Sequence, residues 1–123
     1  MTDTPTDAGE IKSWHAHIYY DPSRSKDAAA RVRDWIEARF AVRMGDWHDN
    51  PVGPHPIAMY QVAFDPGLFP TLVPWLALNR EGLTVLVHPN TGRPRDDHLK
   101  HALWLGEVLP LKVDTLPEFQ KEH

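Results

Sequence analysis

Between residues 14 and 88 the apolar pattern switches repeatedly between a two-residue and a 3.6-residue period, and that switching leaves few folds open. Residues 14–20, Trp-His-Ala-His-Ile-Tyr-Tyr, read as a strand closed by the turn signal Asp21-Pro22. Over 24–40, Ala28, Val32, Trp35, Ile36 and Phe40 recur at helical spacing, and charged residues from Arg24 to Arg39 cover most of the other face. A short second strand is expected at 41–47. A loop over 48–56, stiffened by three prolines, leads into a third strand at 57–64. The second helix is placed at about 72–79, because Pro74 is tolerated only in a first turn. Leu83-Thr84-Val85-Leu86-Val87-His88 is the clearest strand; a short helix at 97–105 and an edge strand at 108–113 follow.

The order β-α-β-β-α-β predicts a ferredoxin-like α+β fold, an antiparallel sheet with two helices on one face and a C-terminal extension. Residues 1–12 are expected to be a flexible tail and 13–123 a single domain, as suits 123 residues. The expected sheet order is 4-1-3-2, with the first strand parallel to the third and antiparallel to the fourth. His15 and His17 then share the sheet face away from the helices, because alternate residues of a strand point the same way. His55, before the third strand, and His88, at the end of the fourth, are expected at the same end of the sheet. The short C-terminal helix would bring His98 and His101 over them at i, i+3 spacing. The helix-free face also carries Leu86 and Met59 and needs a cover. A second subunit is the expected cover, hence a homodimer; the C-terminal segment is the alternative.

Several chemistries are excluded. The chain has no cysteine, which removes disulfides, thiolate zinc sites and cysteine nucleophiles. A net charge of −4 without a basic stripe argues against nucleic acid as a partner. No signal peptide or membrane-length apolar run is visible, so a cytoplasmic protein without a membrane partner is expected. HExxH, P-loop, GxGxxG and GxSxG patterns are absent. A cluster of neutral imidazoles without thiolates suits Fe(II), Zn(II), Cu(II) or Mn(II), and an open coordination position would make such a site catalytic.

Six segments carry a family resemblance: His15-Ala16-His17-Ile18-Tyr19-Tyr20-Asp21, Pro51-Val52-Gly53-Pro54-His55-Pro56, Trp75-Leu76-Ala77-Leu78-Asn79-Arg80, Leu83-Thr84-Val85-Leu86-Val87-His88-Pro89, Asp97-His98, and His101-Ala102-Leu103-Trp104-Leu105-Gly106. In this order they resemble the DOPA 4,5-dioxygenase family over roughly residues 14–111. The resemblance implies a non-haem Fe(II) extradiol dioxygenase that cleaves a catechol such as DOPA with O₂, the natural catechol being open. Zinc or nickel could replace the iron, since affinity order does not favour Fe(II). By position, His17, His55 and His88 are assigned as the metal set. His98 is the candidate acid/base, with His15 and His101 as alternates. Asp97 is the candidate if the usual facial triad, with one carboxylate, holds here. Tyr19 is read as interface packing, Arg80 as structural, Trp35, Trp75 and Trp104 as core, and His48 and His123 as surface or tail residues. The competing reading is a non-catalytic metal- or small-ligand-binding dimer on the same fold, and a metal-dependent isomerase or hydrolase is a third.

Overall fold

A computed structural model describes residues 4–120. Five strands, β1 (Ser13–Tyr19), β2 (Arg43–Met44), β3 (Met59–Phe64), β4 (Val85–Asn90) and β5 (Leu103–Leu105), form one sheet in the order β2-β3-β1-β4-β5. The helices are α1 (Lys26–Arg39), α2 (Phe69–Asn79) and α3 (Pro94–Leu99). The architecture is mixed α and β, and all strand pairings are antiparallel. None of the helices is long and apolar enough to cross a membrane.

The core lies between the sheet and α1 and α2. Ala16, Ile18 and Tyr20, with Ala58, Tyr60, Val62 and Phe64, and Val85 and Val87, meet Ala29, Val32 and Ile36 of α1 and Leu72 and Leu76 of α2. These are the alternate residues of each strand, so their neighbours point to the opposite, open face.

Four sequence expectations are corrected. First, β1 runs antiparallel to β3, not parallel, with Trp14 opposite Phe64 and Tyr19 opposite Met59. The helical crossover through α1 makes β2 parallel to β1, and β2 is antiparallel to the β3 strand between them, so β3 must oppose β1. Second, α2 begins at Phe69, directly after a 3₁₀ turn at Pro66–Leu68, and Pro74 lies inside it. The helix loses the N–H that Pro70's carbonyl would accept, yet it still buries Leu72 and Leu76 completely. Third, the second strand shrinks to Arg43–Met44, although pairing resumes at the His48–Met59 bridge. Fourth, α3 spans Pro94–Leu99, and Leu103–Leu105 pairs with β4 as a fifth strand. No strand forms at 108–113.

Gly106 turns the chain off the sheet after β5. Its φ is +88°, and a Cβ there would lie 3.0 Å from Arg80 Nη1 and 3.3 Å from Thr84 Oγ1. Arg80 is held in turn by the Leu83 carbonyl, 2.8 Å away, which gives it a structural role. Gly106→Ala is expected to cost about 1–3 kcal/mol, measured as a lower urea midpoint. Beyond the turn the segment lies over the open face. Tyr19, Met59 and Leu86 pack there against Ala102, Trp104, Leu109 and Leu111. The alternative cover, the chain's own C-terminal segment, thus occupies this part of the face.

Of the expected flexible tail, residues 1–3 lie outside the described residues, as does His123. Ala8–Glu10 form a 3₁₀ turn, and the Lys12 N–H donates to the Asn90 carbonyl at 3.0 Å.

Candidate metal centre on the open sheet face

The register arranges the open face in rows. His88 lies opposite His15, His15 opposite Ala63, and Ala63 opposite Arg43. One row along, Trp104 lies opposite Leu86, Leu86 opposite His17, and His17 opposite Gln61. Two rigid central strands therefore supply His15, His17 and His88.

The other two histidines arrive from loops. Because β1 and β3 are antiparallel, the chain entering β3 sits beside the far end of β1, and His55 must reach back over the face. A turn does this. The His55 N–H donates to the Val52 carbonyl at 3.0 Å, and Gly53 within the turn has φ +55°, a conformation that favours glycine. The Lys112 N–H then holds the Pro54 carbonyl at 2.8 Å, so the C-terminal segment fixes this loop. His98 comes from α3, whose start is tied to β4 by Asp97: that carboxylate accepts from the Thr91 N–H at 2.9 Å and the Thr91 hydroxyl at 2.7 Å.

The structure brings together His15, His17, His55, His88 and His98. His17, His55, His88 and His98 are 3, 4, 1 and 8% exposed, while His15 is half-buried. Ring centroids lie 4.2 Å apart for His17 and His55, 5.1 Å for His17 and His88, 5.1 Å for His15 and His88, and 3.9 Å for His88 and His98. Two triads converge closely enough for one ion, His15–His17–His88 and His17–His55–His98. His17 belongs to both.

His101 is not in the cluster. The helix expected to carry it ends at Leu99, and His101 is exposed beyond that end. Among the described residues neither triad includes a carboxylate, and Asp97 is committed to Thr91. His48 is half-buried on the bridge to Met59. Sequence reasoning missed the place of Tyr19. Its hydroxyl lies 2.6 Å from His55 Nδ1, and its ring lies 6.1 Å from that of Trp104. The signal was available, since Tyr19 continues the i, i+2, i+4 series of His15 and His17.

The outer hydrogen bonds set where the protons sit. His88 Nδ1 donates to the Pro89 carbonyl at 2.9 Å, and His98 Nδ1 donates to the Pro94 carbonyl at 2.7 Å. A carbonyl only accepts, so both rings carry their proton on Nδ1 and present a bare Nε2. His17 Nε2 lies 3.1 Å from His88 Nε2 and is the donor of that pair. His17 Nδ1 is buried without a hydrogen-bond partner. Such an orphan is costly in a dry interior and marks a group set aside for another task.

Burial is the main force on these rings and lowers their pKa values, since it penalises the charged form. The neighbouring imidazoles lower most of them further. His15 and His55 are pushed down to about 4. His17 and His88 lie well below the usual 6.5. His98 is also lowered by burial, against the opposing pull of the Pro94 carbonyl and Asp97. The cluster is therefore neutral at pH 7, the protonation state in which imidazole ligates metals.

The donor set fits an ion. Two nitrogens each about 2.0–2.1 Å from one ion, at angles of about 90–110°, lie roughly 2.9–3.4 Å apart. The Nε2 atoms of His17 and His88 are 3.1 Å apart. Outer partners that fix a ring's tautomer, as the Pro89 and Pro94 carbonyls do, are typical of metal-binding histidines.

Tyr19→Phe keeps the buried ring but removes the hydroxyl from His55. The expected result is a loss of about 1–2 kcal/mol of unfolding free energy in the metal-free protein, read by urea denaturation.

The Dopa 4,5-dioxygenase family model matches residues 14–115. A Botryotinia fuckeliana protein, described as an uncharacterized 21.2 kDa protein, is 35% identical over 96% of this chain and 70% of its own length. The DOPA 4,5-dioxygenase of Amanita muscaria is 34% identical over 88% of this chain. The chain spans about half of that relative's length, 51%. A crystal structure described as a putative dioxygenase from Nostoc punctiforme superposes with a TM-score of 0.88 at 53% identity, covering 90% of this chain and 96% of its own.

Proposed function

The chain belongs to the Dopa 4,5-dioxygenase family, and on that premise we propose that it is a non-haem Fe(II) extradiol dioxygenase, opening a catechol ring such as that of DOPA with O₂. One observation carries the reading: imidazoles from paired strands converge, with the Nε2 atoms of His17 and His88 3.1 Å apart, a spacing that one ion could take in place of the shared proton.

We take His17 and His88 as two ligands. His15 is favoured as the third over His55, for two reasons. It completes a triad on two hydrogen-bonded strands, which hold geometry better than a loop does. It is also the half-buried member, so this triad opens toward solvent, whereas His17, His55 and His98 are all buried. A catechol needs that access.

Bound iron would supply a centre able to take the catechol oxygens and O₂ together and to let electrons pass between them. Both oxygen atoms enter the product and the ring supplies the electrons, so no external reductant is required. The chain's own groups manage protons and water. His98 presents a bare Nε2 beside His88 and is suited to take a catechol hydroxyl proton there; its Nδ1–H bond to Pro94 holds the ring in place as it does so. His55, held by Tyr19, lines the inner side of the cluster. Trp104, Leu109 and Leu111 exclude water from the Tyr19 side.

Anaerobic loading with Fe(II), then exposure to O₂ with a panel of catechols that includes DOPA, tests the proposal. Uptake of one O₂ per catechol consumed, with a ring-opened product, is the expected result. Iron-loaded protein that takes up no oxygen with any catechol would overturn it in favour of a metal- or ligand-binding role.

A further inference from the structure

The row that carries His88 and His15 continues across the sheet through Ala63 to Arg43. Neighbouring strands lie about 4.8 Å apart, so Arg43 stands two spacings, about 10 Å, from His15 on the same face. The residue between them is an alanine, and Gln61, beside it in the next row, is half-buried. The sheet floor between Arg43 and His15 is thus low and partly polar. The C-terminal segment packs on Tyr19, Met59 and Leu86, toward the other end of β1. His15 is half-buried and Arg43 exposed, so the approach to the cluster runs along the Arg43 side.

We propose that Arg43 is a specificity-determining residue: it receives the carboxylate of a catechol whose ring is held at the His15 end of the same row. The inference rests on the dioxygenase reading and names its substrate class, catechols with an anionic side chain. A guanidinium suits this role because its charge is permanent and its planar donors match a carboxylate. Its competing partner is weak. Asp65 lies 3.4 Å away, and the two side chains are 61 and 78% exposed.

The test compares two ligands on iron-loaded protein kept anaerobic, so that binding is read without turnover by tryptophan fluorescence. One is 3,4-dihydroxyphenylacetate, which is anionic; the other is 4-methylcatechol, which is neutral. The wild type is expected to bind the anionic ligand about tenfold more tightly, with the preference shrinking as salt rises. Arg43→Gln should erase that preference and leave the neutral ligand's affinity unchanged, while Arg43→Lys should restore part of it. Equal affinity of the wild type for both ligands, or equal weakening of both by Arg43→Gln, overturns the role of Arg43 and leaves the dioxygenase reading standing. Failure of the wild type to bind either catechol overturns both. Arg43 is exposed on a two-residue strand, so its replacement is not expected to disturb folding.

Discussion

His17→Ala is expected to strip the protein of bound metal and with it all catechol-dependent oxygen uptake. His17 is common to both convergent triads, so its removal leaves neither of them complete. No other imidazole of the cluster has that position. His88→Ala should also lose metal, because it removes the bare Nε2 that lies 3.1 Å from His17. His101→Ala should keep full metal content and activity, since that residue lies exposed beyond α3. Metal analysis after dialysis against a weak chelator, alongside oxygen uptake, reads all three variants. Unchanged metal content in His17→Ala would show that the ion sits elsewhere.

The second large effect is on acid stability. The metal-free protein should lose stability as pH falls below 6.5, before ordinary carboxylates begin to titrate. In this range the unfolded chain binds protons that the folded cluster refuses, so unfolding is favoured as pH drops. The stabilising contribution is fully present above 6.5 and is lost on the way down to about 4, the value to which His15 and His55 are pushed. Each of these two contributes about 3 kcal/mol over that interval. His17 and His88 are also lowered well below 6.5 by burial and the neighbouring imidazoles, so they add to the loss. Urea midpoints taken at half-unit steps from pH 7.5 to 4.5 give the curve. A flat curve between 7 and 5.5 would contradict the burial argument.

Much of this site was legible in the sequence because strand periodicity fixes faces. The parity of His15 and His17 placed them opposite Ala16 and Ile18, and the core confirms that division. His88 followed from the antiparallel partner strand. His55 reached the cluster by a route the sequence did not disclose. With β1 and β3 taken as parallel, it would have lain beside the start of β1; in fact the Val52–His55 turn carries it back from the other end. The end of α3 was illegible for a different reason. Neither glycine nor proline follows Leu99 before the chain becomes a strand, and pairing with β4, a tertiary contact, decides the conformation of Leu103–Leu105. Tyr19 was placed on the right face but given the wrong neighbours, because the cover over it comes from residues ninety positions later, such as Leu109 and Leu111.

That cover also orders events during synthesis. A chain leaving the ribosome presents His15 and His17 first, and neither can be enclosed until β4 arrives with His88. The loop that bears His55 gains its tie only when Lys112 is made, and the Arg95 side chain on α3 gains its 2.7 Å bond to the Leu116 carbonyl later still. The candidate metal site is therefore completed only after the segment around Leu116 has been made. A metal ion offered to the nascent chain before then would find scattered imidazoles, and on the proposed reading loading belongs to the folded protein.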